Sequence, residues 1–140
     1  MEREDIILTC NKYLKETVNS RFVFGGSYAL FMQGIDLKRD FHDIDIKFLD
    51  LDVKERRNLK LDFSPAIDKL PNVDIPLEYK EIEFCGEKLL VFTPQTIVDC
   101  KKFCVDFIEN KAKIKSPTRL AGLEKIKRDL IYLKENYNLE

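Results

Sequence analysis

Asp43 and Asp45 are separated by one residue, in a segment from His42 to Phe48 that alternates polar and apolar side chains. Alternation with period two is strand geometry. It places Asp43, Asp45 and Lys47 on one face and His42, Ile44, Ile46 and Phe48 on the other. Two carboxylates held on one side of a strand repel unless water or cations screen them. Mg²⁺ suits such a pair, since it takes oxygen ligands and is commonly held by one or two carboxylates plus substrate phosphates. With 25 acidic residues among 140, an acid-x-acid pair also arises by chance, and Glu81 with Glu83 is a second instance. The first pair gains meaning from what lies upstream. Phe22-Val23-Phe24 ends at Gly25-Gly26, and Ser27 opens Tyr28 to Met32 before Gly34. A strand, a tight turn and a helix start together offer backbone N–H groups and a hydroxyl to an anion. A phosphate-binding turn beside a metal-binding pair describes a site for a nucleoside triphosphate.

The elements that must position these groups follow from the hydrophobic periodicity. Ile6, Ile7, Cys10, Tyr13, Leu14 and Val18 predict a helix over about residues 3–18. After the 42–48 strand, residues 50–70 are ambiguous, with Ile67 and Leu70 pointing to a short helix after Pro65. Strands are expected at 72–77, 80–84 and 88–92, the last two joined at Cys85-Gly86. Thr93-Pro94 opens a helix reaching about residue 111, and Ser116-Pro117 opens another carrying Leu120, Leu123, Ile126, Leu130 and Leu133. A chain of 140 residues in this order forms one α+β domain, with no internal repeat.

The formal charge is −1, yet Lys111, Lys113, Lys115, Arg119, Lys125, Lys127 and Arg128 face only Glu124 over their stretch. That stretch reads either as a solvated surface or as a contact for the phosphates of a nucleotide or RNA. Cys10, Cys85, Cys100 and Cys104 lack the spacing of a zinc site, and Cys100 and Cys104 read as small buried side chains in a reducing compartment. There is no signal-peptide pattern and no apolar run long enough for a bilayer. The expectation is a cytoplasmic protein.

Phe24-Gly25-Gly26-Ser27-Tyr28-Ala29-Leu30, then Arg39, then Asp43-Ile44-Asp45-Ile46, resembles the signature of the DNA polymerase beta nucleotidyltransferase superfamily. It is most similar to the small prokaryotic branch that includes the AbiEii-type toxins. Arg39 stands four residues before Asp43, as in that pattern, whereas the usual Ser or Thr two residues before the first aspartate is here Phe41. The resemblance covers about residues 20–105 and extends loosely to Asp129. It implies a nucleotidyltransferase-fold mixed sheet flanked by helices, with a core over about 20–105 and two C-terminal helices over about 94–137.

The resemblance also implies two Mg²⁺ ions held by Asp43, Asp45 and a third carboxylate on a later strand. Asp74 in Val73-Asp74-Ile75 fits that description best, with Asp62, Glu78 and Glu83 as alternatives. Gly25, Gly26, Ser27, Arg39 and Lys101 would contact the nucleoside triphosphate, Lys101 as a point charge on the phosphates. An acceptor hydroxyl on RNA, tRNA or protein would attack the α-phosphorus and release pyrophosphate, in a toxin-like or other role. His42 is expected on the face of its strand opposite Asp43, in a core or hydrogen-bonding role, and Tyr28 is expected to pack against the core rather than stack on a base. Two readings compete with an active enzyme: an inactive nucleotidyltransferase fold acting as an antitoxin-like binding partner, and a plain interaction module.

Overall fold

The computed structural model describes residues 2–113 and 116–140, so Lys115 of the basic stretch lies outside the described residues. The first stripe folds as helix α1, Arg3–Thr17, and buries Ile7, Cys10 and Leu14. Phe22–Phe24 forms strand β1, buried at all three positions. The glycine turn leads into the short helix α2, Gly26–Met32, and Ile44–Phe48 forms strand β2.

The ambiguous segment resolves differently from expectation. Asp52 caps helix α3, Val53–Asn58, through a reciprocal pair with Glu55, which is the capping-box arrangement. Ile67–Lys69 is strand β3 and not a helical turn. Lys69 Nζ donates to the carbonyls of Arg56 and Leu59 and so caps the C-terminal end of α3. No strand forms over 72–77. Strands β4, Tyr79–Phe84, and β5, Glu87–Phe92, make the expected hairpin. Cys85 and Gly86 both have positive φ there, 50° and 83°, as a two-residue turn of that hand requires.

Thr93 caps helix α4, Pro94–Asp106, whose end passes into a π-helical turn at Phe107–Lys111. Ser116 caps helix α5, Pro117–Tyr137. Both helices carry proline in their first turn, where its missing N–H costs nothing.

The strands form one mixed sheet in the order β3-β2-β1-β5-β4. β1 runs antiparallel to β2 and parallel to β5, and β2 runs parallel to β3. Ile44 and Ile46 of β2, Val23 and Phe24 of β1 and Val91 of β5 are fully buried with Ile7, Leu14, Leu30 and Val98 from the helices. The chain is therefore α+β, a five-stranded mixed sheet flanked by helices.

Loop 36–41 is tied down by α1. The Arg3 guanidinium lies 3.6 Å from the Phe41 ring centroid, donates to the Arg39 carbonyl at 2.8 Å and pairs with Asp36 at 3.3 Å. Phe41, at the position where the resemblance leads one to expect Ser or Thr, packs edge-on against Tyr28 and Phe31. Tyr28 is consequently buried and cannot stack on a base in this conformation. Cys10 is fully buried and Cys85 exposed, whereas Cys100 and Cys104 are only half-buried.

Candidate active site

β1 ends at the turn, and Gly25 continues its ladder by donating its N–H to the Asp45 carbonyl at 2.8 Å. Gly26 has φ +59°, and a Cβ there would overlap the Asp45 carboxylate. Glycine is needed at that position for both reasons: the backbone is left-handed, and the carboxylate occupies the space of a side chain. The turn and the aspartate strand thus form one surface.

Parallel pairing of β2 with β3 sets Asp45 opposite Asp68. Facing residues in a ladder project to the same side, so the two carboxylates are neighbours. Burial raises the Asp45 pKa to about 7, the adjacent Asp68 adds to the rise by charge and by hydrogen bonding, and Asp43 adds a little more, with Lys101 opposing. Asp43 precedes β2 and is exposed. Asp74, expected as the third carboxylate, lies exposed in a bend after β3 and takes no part in this cluster. Asp62 also lies outside the strands, Glu78 immediately precedes β4, and Glu83 lies near the hairpin end of β4. The carboxylate beside the pair is Asp68. Its signal in the sequence was weak: a three-residue strand with apolar Ile67 before it and Lys69 after it gives too little alternation to tell a strand from a helical turn.

A second group of charges lies alongside. Asp129 on α5 has a side chain only 6% exposed, and it accepts two hydrogen bonds from Arg39, Nε to Oδ1 at 2.9 Å and Nη2 to Oδ2 at 2.6 Å. The same Arg39 Nη2 lies 2.9 Å from Ser27 Oγ, and Lys101 Nζ reaches Asp129 Oδ2 at 3.2 Å. Burial alone would raise the Asp129 pKa, but the hydrogen bonds and charges of Arg39 and Lys101 prevail and hold it below the usual carboxylate range. Gly25, Gly26, Ser27, Arg39, Asp43, Asp45 and Lys101 are therefore brought to one region. Because α2 has only seven residues, its dipole is small, and Arg39 and Lys101 carry most of the positive potential there.

His42 does not face the core. β2 begins at Ile44, so the alternation does not extend back to His42, which is exposed beside Arg39, Asp40 and Lys125. Lys47, two positions after Asp45 in β2 and on the same face, is buried and donates to Asn72. The basic stretch is not one continuous face: Lys111 pairs with Asp106 and Lys127 with Glu109.

The donor set fits a divalent cation. Asp45 and Asp68 are carboxylates crowded at one point with no cation paired to either among the described residues, and the Asp45 carboxylate lies against the Gly26 backbone of the phosphate-binding turn. No three acidic, histidine or cysteine side chains among the described residues form a preassembled cage. Mg²⁺ characteristically needs none, since it completes its shell with water and phosphate oxygens.

No helix among the described residues is long and apolar enough to cross a membrane. No family model matches the sequence, and no curated protein matches it either. Among solved structures, the chain is similar to the antibiotic-resistance factor ANT(2'')-Ia, whose solution structure is described as revealing substrate-regulated conformation dynamics. The two share 14% identity at a TM-score of 0.52, over 97% of this chain and 93% of the other, a likeness of fold.

Proposed function

We propose that this chain is a Mg²⁺-dependent nucleotidyltransferase that moves a nucleoside monophosphate from a nucleoside triphosphate to a hydroxyl of an RNA, tRNA or protein acceptor, in a toxin-like or related role. The observation that carries the reading is the meeting of Asp43, Asp45 and Asp68 beside the Gly25-Gly26-Ser27 turn, with Arg39 and Lys101 set around Asp129. Likeness of fold to the antibiotic-resistance factor ANT(2'')-Ia supports it.

Asp43, Asp45 and Asp68 would hold the metal, which when bound supplies charge stabilisation to the phosphates. Asp68, at the margin of the cluster and exposed, is placed to accept the proton of the acceptor hydroxyl. The Ser27 hydroxyl and the Gly26 N–H orient the phosphates, while the Lys101 ammonium offsets charge that builds on the leaving pyrophosphate. Arg39, anchored on Asp129, holds Ser27 in place. Asp74, exposed in a bend after β3 and not among the charges that act on Asp45, is given no part in the reaction.

The test is incubation with Mg²⁺, each labelled nucleoside triphosphate and cellular RNA and protein, beside the double variant Asp43→Asn, Asp45→Asn. Label transfer that disappears in the variant supports the enzyme and identifies the acceptor class. Absence of transfer, with no Mg²⁺-nucleotide effect on Tm, would favour the inactive, antitoxin-like alternative; a nucleotide at a hundredfold its Kd should add about 2.7 kcal/mol.

A further inference from the structure

Ala121, Lys125, Arg128 and Asp129 fall on one face of α5, which meets the loop bearing Arg39, Asp40 and His42. Between them lies an open cleft of about 430 Å³. Within it Asp129 is already shared by Arg39 and Lys101. Lys125, one turn before Asp129, is half-buried and has no hydrogen-bond or ion-pair partner among the described residues. Burial lowers its pKa, the charges of Arg39 and Lys101 lower it further, and Asp129 and Asp45 oppose them. A partly dehydrated ammonium that no carboxylate pairs directly is stabilised by an incoming anion.

We propose that this cleft receives the terminal phosphates of the donor nucleotide, with Lys125 and Arg128 contacting the outermost one, so that α5 makes the site select triphosphates over shorter donors. The inference rests on the nucleotidyl-transfer reading of the neighbouring aspartates. A ligand of three phosphates is favoured over an RNA backbone for a geometric reason. Arg39 lines the cleft and also reaches Ser27 Oγ at 2.9 Å, so the cleft adjoins the glycine turn and a short polyanion can extend from one to the other. A longer track would have to continue along Lys127 and Lys111, which are already paired with Glu109 and Asp106.

The probe is inorganic tripolyphosphate, compared with pyrophosphate by calorimetry in Mg²⁺ on the full chain. Wild type should bind tripolyphosphate about tenfold more tightly than pyrophosphate. Lys125→Ala should lose most of that advantage, Lys125→Arg should keep it, and Lys127→Ala should behave as wild type. Arg128→Ala, at an exposed position, gives a second variant whose folding is not in question. Equal affinity in wild type and both alanine variants, an equal loss for both anions, or no binding of tripolyphosphate at all would each overturn the proposal. Label transfer is scored separately. Transfer with undiminished tripolyphosphate affinity in Lys125→Ala sinks only the cleft, whereas selective loss of that affinity in a protein without transfer upholds the cleft and sinks the enzyme.

Discussion

Arg39 grips both carboxylate oxygens of Asp129, 90 residues away in sequence, and with the same guanidinium reaches Ser27. Asp129→Asn leaves two partly buried cations without their anion. Breaking such a pair costs about 2–3 kcal/mol here, at or below the low end of the usual range because Arg39 stays 23% exposed. Tm should fall by roughly 10 °C. Because the Asp129 pKa is depressed, its contribution is present above the ordinary carboxylate pKa and is lost as pH falls through the lower folded value. The Tm difference between wild type and variant should therefore be full at pH 7 and shrink below about pH 4.

Asp68 and Asp74 provide a direct contrast. Asp68→Asn should reduce label transfer by at least about 10²-fold, as expected when a proton acceptor or metal ligand is removed, and should weaken Mg²⁺ binding. Asp74→Asn should stay within about twofold of wild type, since substitutions at exposed sites away from special features change little. Steady-state transfer rates and Mg²⁺ titrations of both variants decide the matter; the reverse order would return the role to Asp74.

Asp45 makes the metal-free protein sensitive to base. Its folded pKa is raised to about 7, chiefly by burial and then by Asp68, so the stabilisation is complete below the unfolded value near 4 and is lost as pH rises through 7. Without metal, Tm should decline between pH 5 and pH 8, and added Mg²⁺ should restore it. Asp45→Asn should flatten the profile and abolish transfer.

Gly26 can be tested against Gly34, since both have positive φ, +59° and +84°. Alanine at Gly34 meets nothing within 4 Å and should cost only the backbone penalty, about 1–2 kcal/mol. Alanine at Gly26 also overlaps the Asp45 carboxylate, so its loss of stability should be larger, with Mg²⁺-dependent nucleotide binding lost as well. Chemical denaturation of the two variants separates strain from collision.

What could be read from the sequence was whatever local periodicity encodes. The α1, α4 and α5 stripes, the β4-β5 hairpin and the glycine turn before Asp43 and Asp45 were legible because each is set by residues within a few positions of one another. β3 was not. Its three residues owe their strand conformation to pairing with β2, 23 positions back, and the same tertiary contact sets Asp68 opposite Asp45. His42 was misplaced for a related reason, because alternation in sequence continues past the point where the ladder stops. The clamp of Arg3 on Phe41 has no local signature at all.

The grip of α5 on Arg39 also has a consequence for the order of synthesis. A ribosome releases the aspartate strands and the glycine turn long before residue 129 leaves the exit tunnel, and domains assemble as their segments emerge. Until then Arg39 and Lys101 lack their anchor, so a nascent chain bears the carboxylates but not the ordered cations. Under the proposed function, nucleotidyl transfer would require α5 to be docked.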